Sequence, residues 1–239
     1  SPERENPGDK SFSYQKTPKV ISGYTENCSK LMKKIYRSIA KTTHHCDTLE
    51  EAEASKLLEN LYRSINIGLV NEMKIICDKL NIDVHNVIES AATKNFGFQK
   101  FTPGPGLGGH CIPIDPYYLS WISRKKGYDP IILKSSAKIN NNMPKIITNK
   151  ILKFFNKKPK ILIFGISYKQ NVDDDRESPS FEFMKIFKKK KINFDVIDPF
   201  FKEIKLGRQI KFKKKLTKFS KNNVLDTSKR HITYIGERS

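Results

Sequence analysis

Cysteine, tryptophan and long apolar runs are all scarce in this sequence of 239 residues. It has one tryptophan and four cysteines, and no two cysteines have the CxxC spacing: Cys28, Cys46, Cys77 and Cys111. No apolar run is long enough to cross a membrane as a helix, and no secretory leader is recognisable. We therefore expect reduced thiols, a cytoplasmic location and no membrane partner.

Acidic residues are also under-represented. Lys and Arg number 45 against 25 Asp and Glu, which gives a net charge of +20 at pH 7. Such a surplus suits a polyanion: nucleic acid, a membrane surface or a phosphorylated small molecule. Much of it is lysine in short runs, and the chain is rich in Ile and Asn. A genome-wide bias toward these residues would give the same charge without any partner. Aromatic residues such as Phe212 and Phe219 interleave the last lysines, but no nucleic-acid motif accompanies them.

The first part of the chain has mainly helical patterns. A short strand is predicted over residues 17–24, followed by a helix that Thr25 caps. From about Leu49 to Leu80 apolar residues keep the helical period with no interrupting Pro, which predicts a rod of about 45 Å. A rod of that length usually joins domains or packs against a copy of itself. Three more helices are predicted, over residues 83–93, 116–127 and roughly 131–155.

The pattern changes near Lys158. The segment 158–168 contains a continuous apolar strand that ends at Gly165. A helix that opens on Ser-Pro (178–191) and a second strand (192–200) follow it. This β-α-β order is typical of a nucleotide-binding fold. Beyond Phe200 the pattern is too weak to assign elements. The predicted fold class is therefore α/β, with an all-helical middle between a strand remnant and a Rossmann-like end.

No glycine-rich dinucleotide motif follows a predicted strand. Gly104, Gly106 and Gly109 match GxGxxG formally, but no strand precedes them and "HCIPIDP" cannot open the helix that such a motif requires. The loop instead lets its backbone approach a ligand closely and presents Cys111, with Asp115 fixed before Pro116. A thiolate is a strong nucleophile once its pKa is lowered. The alternative is that Cys111 is a small buried hydrophobic residue.

Two polar pairs and one cluster are further candidates. Lys56 and Asn60 lie one turn apart on a predicted helix, either as functional groups or as a solvated face. Lys169 and Arg176 follow the first strand of the β-α-β unit. They could recognise a phosphate or carboxylate of a ligand there. The alternative is that they form local ion pairs in a surface loop. The "THHCD" segment (43–47) offers metal ligands, but adjacent ligands cannot all face one ion, so no metal is expected.

Five blocks, taken together and in order, resemble the bacterial UDP-sugar 6-dehydrogenases that act on UDP-glucose, UDP-N-acetylglucosamine and related sugars. They are "SPERENPGD", "EAEASKLLENLYRSINIGLVNEM", "AATKNFGFQKFTPGPGLGGHCIPIDPYYLSW", "AKINNNMP" and "GISYKQNVDDDRESP". The resemblance runs from Ser1 to about Pro199, and the GGHCIPIDP block is its most specific part.

The resemblance implies an NAD-dependent oxidation of the sugar C6 alcohol to a carboxylate, as a step toward surface polysaccharide precursors. Cys111 would add to the intermediate aldehyde as a thiohemiacetal, and a second oxidation would leave a thioester for water to hydrolyse. Lys56 and Asn60 would stabilise the oxyanions, and Asp115 would act with a water as general base. Glu3 would take part in thioester hydrolysis.

The same resemblance assigns binding roles. Arg176 would reach the cofactor, and the long helix would form a homodimer. The UDP-sugar contacts would be Arg4, Phe101, Gly104, Gly106, Leu107, Gly108, Tyr168 and Lys169.

The chain departs from the family pattern at both ends. In the family, the "SPER" block comes after the main body of a Rossmann domain. We therefore expect residues 1–47 to be the end of an NAD-binding domain. Residues 48–157 would be the central helical domain, and 158–239 a truncated UDP-binding domain. The "VLDTSK" stretch (224–229) resembles a later family block, with Ser228 in place of an arginine. The chain would then be a fragment, and the alternatives to an active enzyme are a non-catalytic oligomerising remnant and, less favoured, a basic nucleic-acid binder.

Overall fold

The computed structural model describes residues 1–4, 15–169, 172–206, 208–211, 224–226 and 234–235. The chain divides into two compact units, Ser1–Tyr62 and Arg63–Ser239. The division falls inside the long helix that the sequence predicts. The boundaries predicted at 47/48 and 157/158 stay predictions, because compactness alone does not define family domains.

The described part of the first unit contains a small parallel sheet, a helix beside it and the first turns of the long helix. Strands β1 (Lys19–Ile21) and β2 (Thr43–His45) pair in parallel, with Val20 opposite His44. Helix α1 (Glu26–Arg37) connects them, and the Thr25 side chain accepts a hydrogen bond from the backbone N–H of Cys28 at 3.2 Å. This cap agrees with the sequence prediction. Strand β2 was not predicted, because three residues are too few to show an alternating pattern.

Helix α1 is amphipathic, yet none of its residues is buried. Leu31 and Ile35 in α1, and Ile39 just after its end, recur at intervals of four and are 58%, 44% and 39% exposed. The neighbouring Met32 and Tyr36 are partly buried. Half of the apolar face predicted from the sequence is therefore uncovered in this structure.

The middle of the chain is helical, as predicted. Helix α2 (Leu49–Leu80) has the bounds that its apolar period indicated. It is followed by α3 (Val84–Ala92), α4 (Asp115–Lys125) and α5 (Ile131–Leu152). The Asp83 side chain caps α3 and Pro116 lies in the first turn of α4, as expected for these residue types. None of the described helices is both long and apolar enough to cross a bilayer.

The β-α-β unit is also confirmed. Strand β3 (Ile161–Phe164), helix α6 (Pro179–Lys189) and strand β4 (Phe194–Ile197) follow one another, and β3 pairs with β4 in parallel. Phe183, Met184 and Phe187 of α6 are fully buried against the sheet, in a core that includes Ile163 and Ile166.

Beyond Phe200 the structure adds strands that the sequence left unassigned. Strands β5 (Glu203–Leu206) and β6 (Arg208–Lys211) form a separate antiparallel pair. Strands β7 (Val224–Asp226) and β8 (Tyr234–Ile235) extend the main sheet to the order β4-β3-β7-β8. β7 lies parallel to β3, so the "VLDTSK" stretch begins as a strand of the main sheet. The predicted class, α/β with an all-helical middle, is therefore confirmed. Phe212, Phe219 and Ser228 lie outside the described residues.

Candidate active site

Apolar packing against α2 and α3 holds one side of the loop between α3 and α4. Phe101 is buried in a cluster that includes Val70, Val84 and Ile88. Pro103 is buried, and the backbone N–H of the next residue, Gly104, donates to Asn71 Oδ1 at 2.8 Å. Of the predicted sugar contacts in this loop, Phe101 is buried and Gly104, Gly106, Leu107 and Gly108 are partly exposed. The loop is a fixed structure rather than a random connection.

The other side of the loop packs against the segment after β3. The backbone N–H of Gly109 donates to the carbonyl of Arg176 at 2.9 Å. A Cβ at Gly108 would lie 2.6 Å from Cβ of Tyr168, and one at Gly109 would lie 2.9 Å from the Tyr168 ring. Gly109 also has φ of +88°, which glycine adopts without strain. These glycines therefore serve close backbone packing, which agrees with the rejection of a pyrophosphate-binding motif.

Cys111 is exposed at the end of this loop. Its carbonyl accepts hydrogen bonds from the backbone N–H groups of Ile114, at 3.1 Å, and Asp115, at 2.9 Å. This turn leads into α4 and places Asp115, which is partly buried, one helical turn after Cys111. An exposed thiol on a fixed turn is unlike a core cysteine such as Cys77, which is buried.

Tyr168, Lys169 and Arg176 occupy the loop after β3. The backbone N–H of Tyr168 donates to the carbonyl of Asp174 at 3.0 Å, and Tyr168 and Lys169 are both partly buried. The Arg176 guanidinium donates to both carboxylate oxygens of Asp174, at 2.6 to 3.1 Å. These hydrogen bonds lower the pKa of Asp174 and raise that of Arg176, with smaller charge contributions to Arg176 from nearby Tyr168 and Cys111. The local ion pair that the sequence offered as an alternative is thus present.

In the first unit, Glu3 lies among basic groups. Its carboxylate accepts from Lys19 Nζ at 2.5 Å, and this bond is the main reason why the pKa of Glu3 is lowered. The backbone N–H of Arg4 and the charge of Lys56 lower it further. Lys19 is only 2% exposed, whereas the Glu3 side chain is 68% exposed. The structure therefore pairs Glu3 with Lys19, a buried lysine that the sequence analysis missed.

Arg4 is engaged by protein groups. Its guanidinium contacts the Glu59 carboxylate at 2.5 Å and donates to the carbonyl of Pro18 at 3.0 Å. On the same helix, Lys56 is partly buried and Asn60 is fully buried. A buried Asn60 does not fit the alternative of a solvated polar face.

A cleft of about 370 Å³ lies in the first unit. It opens after β1 and at the start of α1, and its lining includes Gly23, Thr25, Lys30, Lys33 and His45. None of the site residues predicted from the sequence lines it. Within the described residues, no group of three or more His, Cys, Asp or Glu side chains could hold a metal ion.

Sequence reasoning also missed two buried asparagines, Asn71 and Asn140, which are 0% and 1% exposed. A signal was present for Asn71. On the buried face of α2, the spacing of apolar residues is continued by Ser64, Gly68 and Asn71, where a larger apolar side chain would be expected. Lys19 gave no comparable signal, because a lysine in a short strand is normally exposed.

Comparisons with known proteins agree with the sequence resemblance. Residues 50–142 match the central domain of the UDP-glucose/GDP-mannose dehydrogenase family, and residues 162–226 match the UDP binding domain of the same family. A UDP-N-acetyl-D-glucosamine 6-dehydrogenase of Salmonella typhi is 37% identical over 206 residues, which are 83% of this chain and 48% of that protein. A UDP-N-acetyl-D-mannosamine dehydrogenase of Methanococcus maripaludis is 36% identical over 202 residues, 83% of this chain and 46% of that protein.

Solved structures give the same result. The UDP-D-ManNAc dehydrogenase of Pyrococcus horikoshii has a TM-score of 0.76 and 32% identity, over 83% of this chain and 48% of that one. The chain spans about half the length of the curated relatives it matches. The two family matches together span more than half of the 239 residues, and they lie on the helical middle and on the β-α-β unit described above. This chain therefore belongs to the UDP-glucose/GDP-mannose dehydrogenase family.

Proposed function

We propose that the chain supplies the UDP-sugar-binding and thiol-bearing parts of a UDP-sugar 6-dehydrogenase. Its substrate would be UDP-N-acetylglucosamine or a close relative, UDP-glucose or UDP-N-acetylmannosamine. The observation that carries the proposal is the exposed Cys111 on a loop that packs directly against Tyr168 and Arg176, at the start of the region matching the UDP binding domain. The names of the relatives support this substrate class.

The thiol chemistry can be written for Cys111 and Asp115. Oxidation of the C6 alcohol gives an aldehyde, and the sulfur adds to its carbonyl carbon. A C–S bond forms, the thiol proton leaves, and the carbonyl oxygen becomes a hydroxyl. A second oxidation of this carbon gives a thioester. Water then attacks the thioester, the C–S bond breaks, the carboxylate leaves and the thiol is restored.

Asp115 is proposed as the general base that acts through a water in these steps. It lies at the first position of α4, one turn from the sulfur-bearing residue, and stands before Pro116, which fixes its backbone. The roles that the family resemblance gives to Lys56, Asn60 and Glu3 remain predictions: oxyanion stabilisation by the first two, and hydrolysis for Glu3. The hydrogen bond from Lys19 lowers the pKa of Glu3, which favours its ionised form.

The oxidations need a hydride acceptor, and NAD is proposed because the family generally uses it. The described residues do not fit a dinucleotide by themselves. In the one GxGxxG match of the sequence, the backbone N–H of Gly109 donates to the Arg176 carbonyl and Gly109 lies against Tyr168, so this N–H is not directed at a pyrophosphate. The Arg176 guanidinium, our predicted cofactor contact, is bound to Asp174. We therefore assign no cofactor step to these residues.

We also propose a homodimer formed through α2. Five large residues on this helix, at spacings of 4, 7, 7 and 4, fall on one face and are 43–67% exposed: Leu58, Tyr62, Leu69, Ile76 and Leu80. An exposed apolar face along a helix of 32 residues suits a partner of the same kind. A cytoplasmic location, proposed from the sequence, fits a nucleotide-sugar substrate.

Cys111 labelling tests the proposal. Alkylation of the purified chain is followed at each cysteine by mass spectrometry, with and without UDP-N-acetylglucosamine. We expect the sugar nucleotide to slow labelling of Cys111 by about tenfold or more, because the bound sugar would cover the thiol. Cys28 is also exposed and serves as the internal control, with no change expected.

Equal labelling of Cys111 at saturating UDP-N-acetylglucosamine, UDP-N-acetylmannosamine and UDP-glucose would contradict substrate binding. A second assay adds NAD and follows NADH absorbance. Protection of Cys111 without NADH formation would identify a binding part that does not turn over alone. Absence of both would favour the non-catalytic oligomerising alternative.

A further inference from the structure

We propose that Asn71 is a positioning residue for the loop that carries Cys111, and that Asn140 holds Asn71 in the required orientation. The proposal rests on the function proposed above, because it assigns the loop to UDP-sugar binding. Both asparagines lie in the second unit, on α2 and α5, and neither contacts the thiol. Their effect would pass through Gly104 and Gly106 of the loop.

Three hydrogen bonds form a continuous chain through the two buried asparagines. Gly104 N–H donates to Asn71 Oδ1 at 2.8 Å, and Asn71 Nδ2 donates to Asn140 Oδ1 at 2.9 Å. Asn140 Nδ2 in turn donates to the carbonyl of Ser64 at 3.1 Å. Both side chains are at least 99% buried, so water cannot replace these partners. The loop is thereby connected to both helices through one set of bonds.

The direction of each amide in this chain is fixed. If the Asn71 amide turned over, its NH₂ group would face the N–H of Gly104 and its oxygen would face the oxygen of Asn140. If Asn140 turned over, its oxygen would face the Ser64 carbonyl. Each reversal puts two donors or two acceptors together in a buried place, which is costly. Only one arrangement satisfies all three bonds, and it presents an acceptor to Gly104.

Asn140 also meets the loop through its backbone. Pro144 lies inside α5, four residues later, and has no N–H to donate to the Asn140 carbonyl. That carbonyl oxygen lies against Gly106, where an added Cβ would be only 3.1 Å away. Gly106 has φ of +130°, so any other residue there would also be strained. The two asparagines therefore hold both glycines of the "GPG" stretch: Asn71 accepts from Gly104, and the Asn140 carbonyl lies against Gly106.

The test compares variants of the full chain by hydrogen exchange and by ligand binding. Asn71→Leu removes the acceptor while keeping a side chain that branches at the same carbon. We expect exchange in residues 101–110 to become at least about tenfold faster, and the Kd for UDP-N-acetylglucosamine to rise by about tenfold or more. Ser136→Ala is the matched control. It removes a buried bond to the same Ser64 carbonyl, at 3.0 Å, without touching the loop.

Asn71→Asp provides a rescue that a general loss of stability would not show. A protonated carboxyl can accept from Gly104 with one oxygen and donate to Asn140 with the other, whereas a carboxylate would face the Asn140 oxygen without a proton. We expect its Kd to approach the wild-type value as pH is lowered, while the Kd of Asn71→Leu stays high.

Loop exchange in Asn71→Leu no faster than in Ser136→Ala would overturn the positioning role, whatever the ligand does. Faster loop exchange with an unchanged Kd would overturn its connection to binding. If the wild-type chain binds no UDP-sugar at all, the proposed function fails instead, and the exchange comparison still decides whether Asn71 holds the loop.

Discussion

At the scale of single residues, the two members of the Lys19–Glu3 ion pair differ strongly in burial. The lysine side chain is 3% exposed, and the glutamate side chain, 68% exposed, is the only partner found for its ammonium among the described residues. A buried ammonium depends on its counter-ion, whereas an exposed carboxylate can be solvated by water. The two residues therefore contribute differently to the same ion pair.

Removing the partners one at a time should show this inequality. We expect Glu3→Ala to lower the free energy of unfolding by about 1–2 kcal/mol, because it leaves a buried ammonium unpaired. Lys19→Met should change it by less than about 1 kcal/mol, since a methionine fits an apolar site. Urea unfolding followed by circular dichroism measures both.

The exposed pair of Lys30 with Glu26 is the control, with side chains 69% and 82% exposed. Removal of either partner there should have almost no effect. Equal losses for Glu3→Ala and Lys19→Met would show that Lys19 is not dependent on Glu3.

Some residues of the candidate site could be recognised from the amino-acid sequence alone, and others could not. Cys111 is a candidate from the sequence because a glycine-proline loop is an unusual frame for a cysteine, and Lys56 and Asn60 are candidates because helical spacing places them on one face; their roles stay predictions. Lys19 and Asn71 could not be assigned roles, since burial of a polar side chain depends on what the fold places around it. The contact that Gly109 makes could not be predicted either, because its hydrogen bond to the Arg176 carbonyl joins segments 67 positions apart in sequence.

At the scale of elements, one carboxylate links two helices of the second unit. Asp78 on α2 accepts from Lys74 of the same helix at 2.5 Å and from Lys150 of α5 at 2.8 Å. Burial would raise the pKa of Asp78, but the hydrogen bonds from Lys150 and Lys74 outweigh it and hold the pKa below its ordinary value. This ion pair adds to the apolar packing of the two helices.

A pH series should reveal that contribution. Because the folded-state pKa of Asp78 lies below its unfolded value of about 4, the carboxylate stabilises the fold fully above about pH 5. The contribution is lost as pH falls through the folded-state pKa. We expect Asp78→Asn to cost about 0.5–1 kcal/mol at pH 7 and progressively less toward acid pH.

Urea midpoints measured at several pH values give this dependence. Asp129→Asn removes an exposed pair with Lys134 and serves as the comparison, with a smaller effect throughout. A cost for Asp78→Asn that does not change with pH would show that its charge is unimportant.

Long elements were predictable and short ones were not, for a physical reason. Helix α2 keeps its apolar period over 32 residues, and α3, α4 and α6 each have a cap or a proline at their start. Strands β2, β7 and β8 have two or three residues each, which is too few to establish a period. β7 exists because it pairs with β3, about 60 positions earlier, and such pairing is a property of the fold and not of the local sequence.

At the scale of the whole molecule, the exposed face of α2 gives a prediction about assembly. We expect the chain to be dimeric and Leu69→Glu to make it monomeric at micromolar concentration, because a buried carboxylate at the centre of an apolar interface is costly. Size-exclusion chromatography with light scattering measures the mass.

Lys79→Glu lies off this face on the same helix and should leave the dimer intact. A wild-type chain that is monomeric at high concentration would contradict the proposed interface. Loss of the dimer in both variants would point to a general charge effect instead.

The uncovered half of α1 has a practical consequence for handling the purified chain. Mutual repulsion between molecules of charge +20 keeps apolar patches apart in dilute buffer. Added salt shortens the range of that repulsion and leaves the attraction between Leu31, Ile35 and Ile39 of neighbouring molecules unopposed. Higher ionic strength is often used to stop a basic protein from binding non-specifically. For this chain we expect it to promote precipitation instead.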